Sequence, residues 1–118
     1  MSIDLHCHTR YSDGSTPLEE LIQLAALRGV TTFALTDHDT MSGCECALEL
    51  GREAGVTVIP GVEISAVDPK RHGKAHILCY KPKKPEVLLP LLQKTTDSRN
   101  AAMLRSVDKV CHLYAIPR

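Results

Sequence analysis

Ser2-Ile3-Asp4-Leu5-His6-Cys7-His8 stands at the start of the chain, and the fold follows from reading outward from it. Residues 2–7 predict a short first strand. Residues 9–16, Thr-Arg-Tyr-Ser-Asp-Gly-Ser-Thr, make a loop rich in turn formers. Thr16 is then placed as an N-cap, with Pro17 at the first helical position and Glu19 and Glu20 in the first turn. Leu18, Leu21, Ile22, Ala25 and Ala26 follow at helical spacing until Gly29 ends the helix. Residues 30–36 are β-branched and apolar and predict a buried second strand. The polar loop Asp37-His38-Asp39-Thr40 leads to a second helix over about 42–54, closed by Gly55. Residues 56–59 predict a third strand, broken by Pro60-Gly61; residues 62–65 continue it or form another. A basic turn over 68–74 and a further strand over 75–80 complete the alternation. Strand, helix, strand, helix, strand points to parallel βαβ units.

From Pro82 the composition shifts. Pro82, Lys83, Lys84 and Pro85 form a stiff polar linker. Two helical patterns follow, over 87–93 and over about 97–113.

The composition narrows the function. At 118 residues the chain holds one domain, and 43% apolar with 24% charged residues is ordinary globular usage. Lys+Arg and Asp+Glu are 14 each, so a nucleic-acid binder relying on bulk positive charge is not expected. Aromatics at 3% argue against base-stacking platforms. No apolar run is long enough to span a membrane, and residues 1–4 lack the character of a secretory signal. Five cysteines without a CxxC pair fit reduced thiols in a cytoplasmic protein. The unusual count is histidine, at six.

Alternate side chains of a strand share a face, so Asp4, His6 and His8 are expected on one side and Leu5 and Cys7 on the other. Two imidazoles about 7 Å apart along a strand can converge on an ion just beyond its end. Asp13 lies in the loop after the first strand, His38 follows the second, Glu63 follows the third and His76 sits in the next. Parallel α/β folds assemble their sites at these strand ends. Imidazole and carboxylate donors without thiolate favour Zn, Mn or Fe over a structural Cys-rich zinc. Six candidate ligands exceed what one catalytic zinc uses, which implies at least two ions. Paired ions that activate water and neutralise a phosphate oxyanion make phosphate-ester hydrolysis the natural chemistry.

Asp4-Leu5-His6-Cys7-His8, Ser12-Asp13-Gly14, Thr36-Asp37-His38-Asp39, Gly61-Val62-Glu63-Ile64 and His76-Ile77-Leu78 together resemble the polymerase and histidinol phosphatase (PHP) family over about residues 1–80. The resemblance implies an α/β fold: the N-terminal part of a distorted, TIM-barrel-like (βα)7 barrel, followed by the start of a helical insertion. Residues 1–81 would be the barrel part and 82–118 the linker and insertion. It implies two to three divalent ions, Mn, Zn or Fe. His6 and His8 would hold one ion, and Glu63 would bridge to a second that His76 also binds. Asp13 and His38 would hold a third. Glu63, Asp13 and His38 are the residues expected to carry catalysis. The branch most similar acts on nucleoside 3′,5′-bisphosphates, some members trimming short RNA from the 5′ end. Residues 99–113 resemble the opening helix of its insertion. The family's late His and Asp ligands have no counterpart here; His112 does not match their motif and reads as a helix-face histidine. Cys79 stands where the branch usually has Gly.

Other residues carry weaker expectations. Arg10 could clamp a phosphate or be a solvated loop arginine. Lys70, Arg71, His72 and Lys74 read as a solvated turn ahead of an anion-attracting patch. Asp37 and Asp39 could orient imidazoles, and Asp39 could equally cap a helix. Cys44 and Cys46 at a helix start read as inert thiols, and Cys7 and Cys79 as core.

The expected function is therefore a metal-dependent phosphoesterase using metal-activated hydroxide on a phosphate monoester, its partner a small phosphorylated substrate such as a nucleotide or short RNA. The alternatives are a histidinol-phosphate-type phosphatase and a truncated, non-catalytic metal-binding fragment. A polymerase accessory domain would need a much longer chain. At about 30 residues per βα unit, residues 1–80 make around half a barrel, which leaves an open edge suited to self-association.

Overall fold

The apolar run at residues 30–35 becomes β2 (Val30–Leu35), and its two neighbours in the sheet build the rest around it. In the computed structural model, which describes residues 1–117, the other elements are β1 (Ser2–Cys7), α1 (Leu18–Leu27), α2 (Cys44–Ala54), β3 (Thr57–Asp68), β4 (Gly73–Tyr80) and α3 (Pro85–Tyr114). The sheet order is β1-β2-β3-β4. β1, β2 and β3 are parallel, as two βαβ units require, and β4 returns antiparallel to β3 as a hairpin.

The core lies between the helices and the central strands. Leu18 and Ile22 of α1 meet Phe33 and Leu35 of β2, Cys44 and Ala47 of α2, and Val58 of β3. Fully burying one such large side chain is worth about 1.5–3 kcal/mol, so β2 and β3 are the best-anchored strands. β1 has no such cover: Ile3 is 58% and Leu5 46% exposed. The sheet is curled, and Tyr80 near the end of β4 donates from its hydroxyl to the Leu5 carbonyl at 2.8 Å, linking the two edge strands.

Four expectations change. β3 is not broken at Pro60-Gly61. It pairs with β2 through Pro60 and with β4 from Gly61 onward, so the proline lies where the strand changes partner. A Cβ on Gly61 would sit 2.8 Å from the Cys79 carbonyl oxygen and 3.2 Å from that of Leu35, so the crossing needs glycine. α1 starts at Leu18 with Pro17 in the capping position, and no Thr16 hydroxyl cap forms. The two C-terminal helical patterns are one helix of 30 residues. It runs through Pro90, which lies early enough to forfeit a single bond to the first-turn carbonyl of Glu86. Finally, β1 shifts register between Asp4 and Cys7. Asp4 bonds no imidazole; its Oδ1 accepts from the His6 backbone amide at 3.1 Å. It lines a groove with Cys7, Leu21, Leu24 and Ala25 against α1.

Candidate metal centre

His6 and His8 lie at the C-terminal end of β1, His38 just beyond β2, Glu63 in β3 and His76 in β4. In an antiparallel pair, directly opposed residues share a face. Leu78 opposes Glu63 and His76 opposes Ser65, so Glu63, Ser65 and His76 project from one side. An isolated parallel bridge between His38 and Glu63 extends the β2–β3 register and brings the loop histidine alongside.

Glu63 is the hub. Its side chain is 5% exposed. Oε2 accepts from His6 Nε2 at 2.8 Å and lies 2.6 Å from His8 Nε2 and 3.6 Å from His38 Nε2. Oε1 lies 3.2 Å from His76 Nδ1. Burial pushes the Glu63 carboxyl up, but the His6 bond and the His38 and His6 imidazoles outweigh it and hold it below the usual range. The imidazoles form a continuous row. Ring centroids are 5.0 Å apart for His6 and His8, 4.5 Å for His8 and His38, and 5.0 Å for His38 and His76.

Asp13 joins at the rim. Its Oδ1 accepts from His8 Nδ1 at 2.8 Å, and its Oδ2 lies 3.4 Å from His38 Nε2. Its carboxyl is held low: burial opposes this, and the His8 bond with the His38 charge prevails. A Cβ on Gly14 would meet the His8 carbonyl oxygen at 2.8 Å. Glycine there lets the loop fold back so that its neighbour Asp13 reaches His8.

The donors fall into three groups whose ligand atoms lie within 4.8 Å of one another: His6, His8 and Glu63; His38, Glu63 and His76; His8, Asp13 and His38. Their chemistry fits divalent metal ions. The sharpest sign is His8 Nε2, which is buried with no hydrogen-bond partner among the described residues although Glu63 Oε2 is 2.6 Å away. Two atoms that close without bond alignment suit co-ligands of one ion better than donor and acceptor. The groups share members. With Nε2 on an ion, His8 keeps its Nδ1 proton for Asp13, so the third group is the least complete.

Asp37 and Asp39 do not bond imidazoles. Asp37 accepts from the Thr9 amide at 2.6 Å, the Thr9 hydroxyl at 2.8 Å and the Ser12 hydroxyl at 2.7 Å. Asp39 accepts from the Ser65 amide at 2.8 Å and the Ser65 hydroxyl at 2.7 Å, and from the Arg99 guanidinium of α3. They hold His38 by clamping the backbone on either side of it, and Asp39 itself adopts a left-handed φ of 52°. Arg10 donates from Nε to the Ser15 carbonyl at 2.7 Å and is absent from the lining of the adjacent cleft. His112 is exposed near the end of α3. Arg99 and Thr9 were not legible as site residues: Arg99 lies 60 positions from its partner, and no local pattern marks either.

A cleft of about 1180 Å³ opens beside the centre. Asp13, His38 and His76 line it with Ser65, Lys74, Lys94 and Arg99, so β4 and α3 both contribute.

Residues 4–114 match the PHP domain family. A phosphoribosyl 1,2-cyclic phosphate 1,2-diphosphodiesterase from Eggerthella lenta is 41% identical over 108 residues, 91% of this chain and 41% of that protein. A 3′,5′-nucleoside bisphosphate phosphatase from Chromobacterium violaceum is 42% identical over 64 residues, 54% of this chain and 22% of its own length. A crystal structure described as a metal-dependent phosphoesterase from Bifidobacterium adolescentis superposes with a TM-score of 0.84 at 31% identity. That match covers 94% of this chain and 38% of the other. The chain thus spans less than half the length of each of these relatives.

Proposed function

The chain belongs to the PHP domain family, and on that premise we propose that it carries the metal-holding half of a phosphoesterase acting on a small phosphorylated ribose compound, such as a nucleoside 3′,5′-bisphosphate or the 5′ end of a short RNA. One observation carries the reading: the buried Glu63 carboxylate meets four imidazoles at 2.6–3.6 Å. His6, His8 and Glu63 would hold one divalent ion, and His38, Glu63 and His76 a second. Asp13 and His38 would offer a third, weaker position. Mn, Zn or Fe suits these donors. Bound there, such ions supply a water-derived nucleophile at neutral pH and charge for the phosphoryl oxygens.

The chain's own residues prepare the site. Glu63 and Asp13, held below the usual carboxylate range, are ionised at neutral pH. Asp13 fixes the His8 tautomer, leaving Nε2 free to ligate. Asp37 and Asp39 hold the His38 backbone, which limits drift of its ring; a misplacement of about 1 Å can cost around a hundredfold in rate.

Both relatives' names describe two phosphate groups on one ribose. The diphosphodiesterase matches 91% of the chain, which extends into α3. That coverage favours a second reading, hydrolysis of a cyclic phosphodiester. Residues 1–81 are read as the barrel part and 82–118 as linker and start of an insertion, and the five free thiols suit a reducing cytoplasmic setting. The exposed Ile3 and Leu5 on the β1 edge suit pairing with a second copy, which light scattering across concentrations would test.

Hydrolysis by the Mn²⁺-loaded chain tests the function, read as phosphate release from adenosine 3′,5′-bisphosphate and from histidinol phosphate and as the ring-opened monoester from a cyclic ribose phosphate. The expected result is turnover of the bisphosphate or of the cyclic phosphate, abolished by chelator and by Glu63→Gln. Metal retention without turnover of any substrate would leave a non-catalytic metal-binding fragment as the reading.

A further inference from the structure

We propose that Tyr80 and Asp4 are positioning residues that clamp one peptide plane of β1 and so aim the His6 imidazole at the Glu63 carboxylate. The inference rests on the metal-centre reading above. Asp4 pairs with Phe33 and Cys7 with Leu35, so a step of three residues on β1 faces a step of two on β2. The extra residue makes a bulge, a device that re-aims side chains beside functional sites. Leu5 and His6, inside that step, have no partner in the β1–β2 register. Side chains hold the peptide between them instead. Its oxygen, the Leu5 carbonyl, accepts from the Tyr80 hydroxyl at 2.8 Å. Its N–H, that of His6, donates to Asp4 Oδ1 at 3.1 Å.

These two bonds grip the same rigid unit. A peptide is planar, so its rotation changes the ψ of Leu5 and the φ of His6 together. Holding both its oxygen and its N–H stops that rotation, and with it the swing of the His6 side chain. Packing does less for this ring than for its neighbours: the His6 side chain is 51% exposed, against 21% for His8 and 16% for His38. Yet His6 Nε2 meets Glu63 Oε2 at 2.8 Å. Tyr80 opposes Gly61, two residues before Glu63. The β3–β4 hairpin therefore carries both the carboxylate and the tether of its histidine partner, which fixes the two relative to each other.

The test is titration of the chain with Co²⁺, whose visible absorption reports its ligands, with a mutant cycle through His6. Tyr80→Phe, which removes only the hydroxyl, and Asp4→Ala should each weaken Co²⁺ binding about tenfold, the lower scale for losing a group that orients a ligand. Asp4→Asn, whose amide oxygen still accepts, should restore most of the affinity. In a His6→Ala chain, Tyr80→Phe should leave the remaining Co²⁺ binding unchanged, because the residue it positions is gone. An equal loss from Tyr80→Phe with and without His6 would mark a general structural bond and overturn the proposal. So would an unchanged affinity in Tyr80→Phe, and either result would leave the metal centre standing. No Co²⁺ binding by the unaltered chain would overturn both.

Discussion

Arg99 reaches from α3 to Asp39, a carboxylate whose side chain has no solvent exposure, and the same guanidinium lies 3.2 Å from the Ser65 hydroxyl. The contact ties the C-terminal helix to the backbone beside His38 and sets one wall of the cleft. α3 has little other anchorage: Leu92 is its one buried residue, while Met103, Leu104, Val107 and Val110 are exposed.

Arg99→Ala is therefore expected to free α3. Asp39 keeps both Ser65 bonds and the arginine is half exposed, so the loss should be about 1–2 kcal/mol, between exposed and buried pairs. Urea denaturation measures it, and hydrogen exchange should rise over residues 99–114. Unchanged exchange there would show that the contact does not dock the helix.

The same pair has a pH signature. Burial pushes the Asp39 carboxyl up, but the Ser65 bonds and the Arg99 guanidinium outweigh it and hold it below the usual range. A depressed folded value makes the stabilisation complete above the ordinary carboxylate pKa of about 3.9. It is lost as pH falls through the lower folded value. Amide NMR signals of residues 99–102, followed from about pH 5 downward, should shift only in strong acid. Asp39→Asn should remove that transition.

Glu63 belongs to two of the three donor groups and His76 to one. His76→Ala should therefore lower bound metal by about one ion per chain while the His6, His8 and Glu63 group persists. Glu63→Gln should weaken retention at both groups by at least about a hundredfold, the upper scale for losing an outer-shell partner. Elemental analysis after gel filtration distinguishes them, and equal losses would mean that Glu63 is not shared.

Gly61→Ala places a Cβ 2.8 Å from the Cys79 carbonyl oxygen, against backbone that cannot rotate away. The expected cost is about 1–3 kcal/mol, as for overpacked positions, read from thermal melts. Gly73→Ala, with nothing within 4 Å of the new Cβ, is the control and should melt close to wild type.

Burial, followed by the Asp4 charge, pushes the Cys7 thiol up to about 12, and burial also raises that of Cys44. Thiolate is the reactive form, so both should resist iodoacetamide at about pH 8 in the folded chain and react on unfolding. Peptide mass mapping before and after urea checks this. Rapid labelling of native Cys7 would contradict the burial of its thiol.

The elements near the site were legible because their signals are local. β-branched runs, turn residues and helical spacing lie within a few positions of one another and place His6, His8, Asp13 and His38 at or just beyond strand ends, while Glu63 and His76 lie within β3 and β4. Tertiary structure decided what depends on register and distant packing. Where β1 shifts register, Asp4 met the His6 backbone amide and no imidazole, against the period-two expectation. β3 continued through Pro60-Gly61 because its partner changes there. Asp39 met Ser65 and Arg99 instead of an imidazole. Tyr80 met the Leu5 carbonyl, 75 positions away. Pairing across a sheet is fixed by which strands lie side by side, and no window of neighbouring residues contains that information.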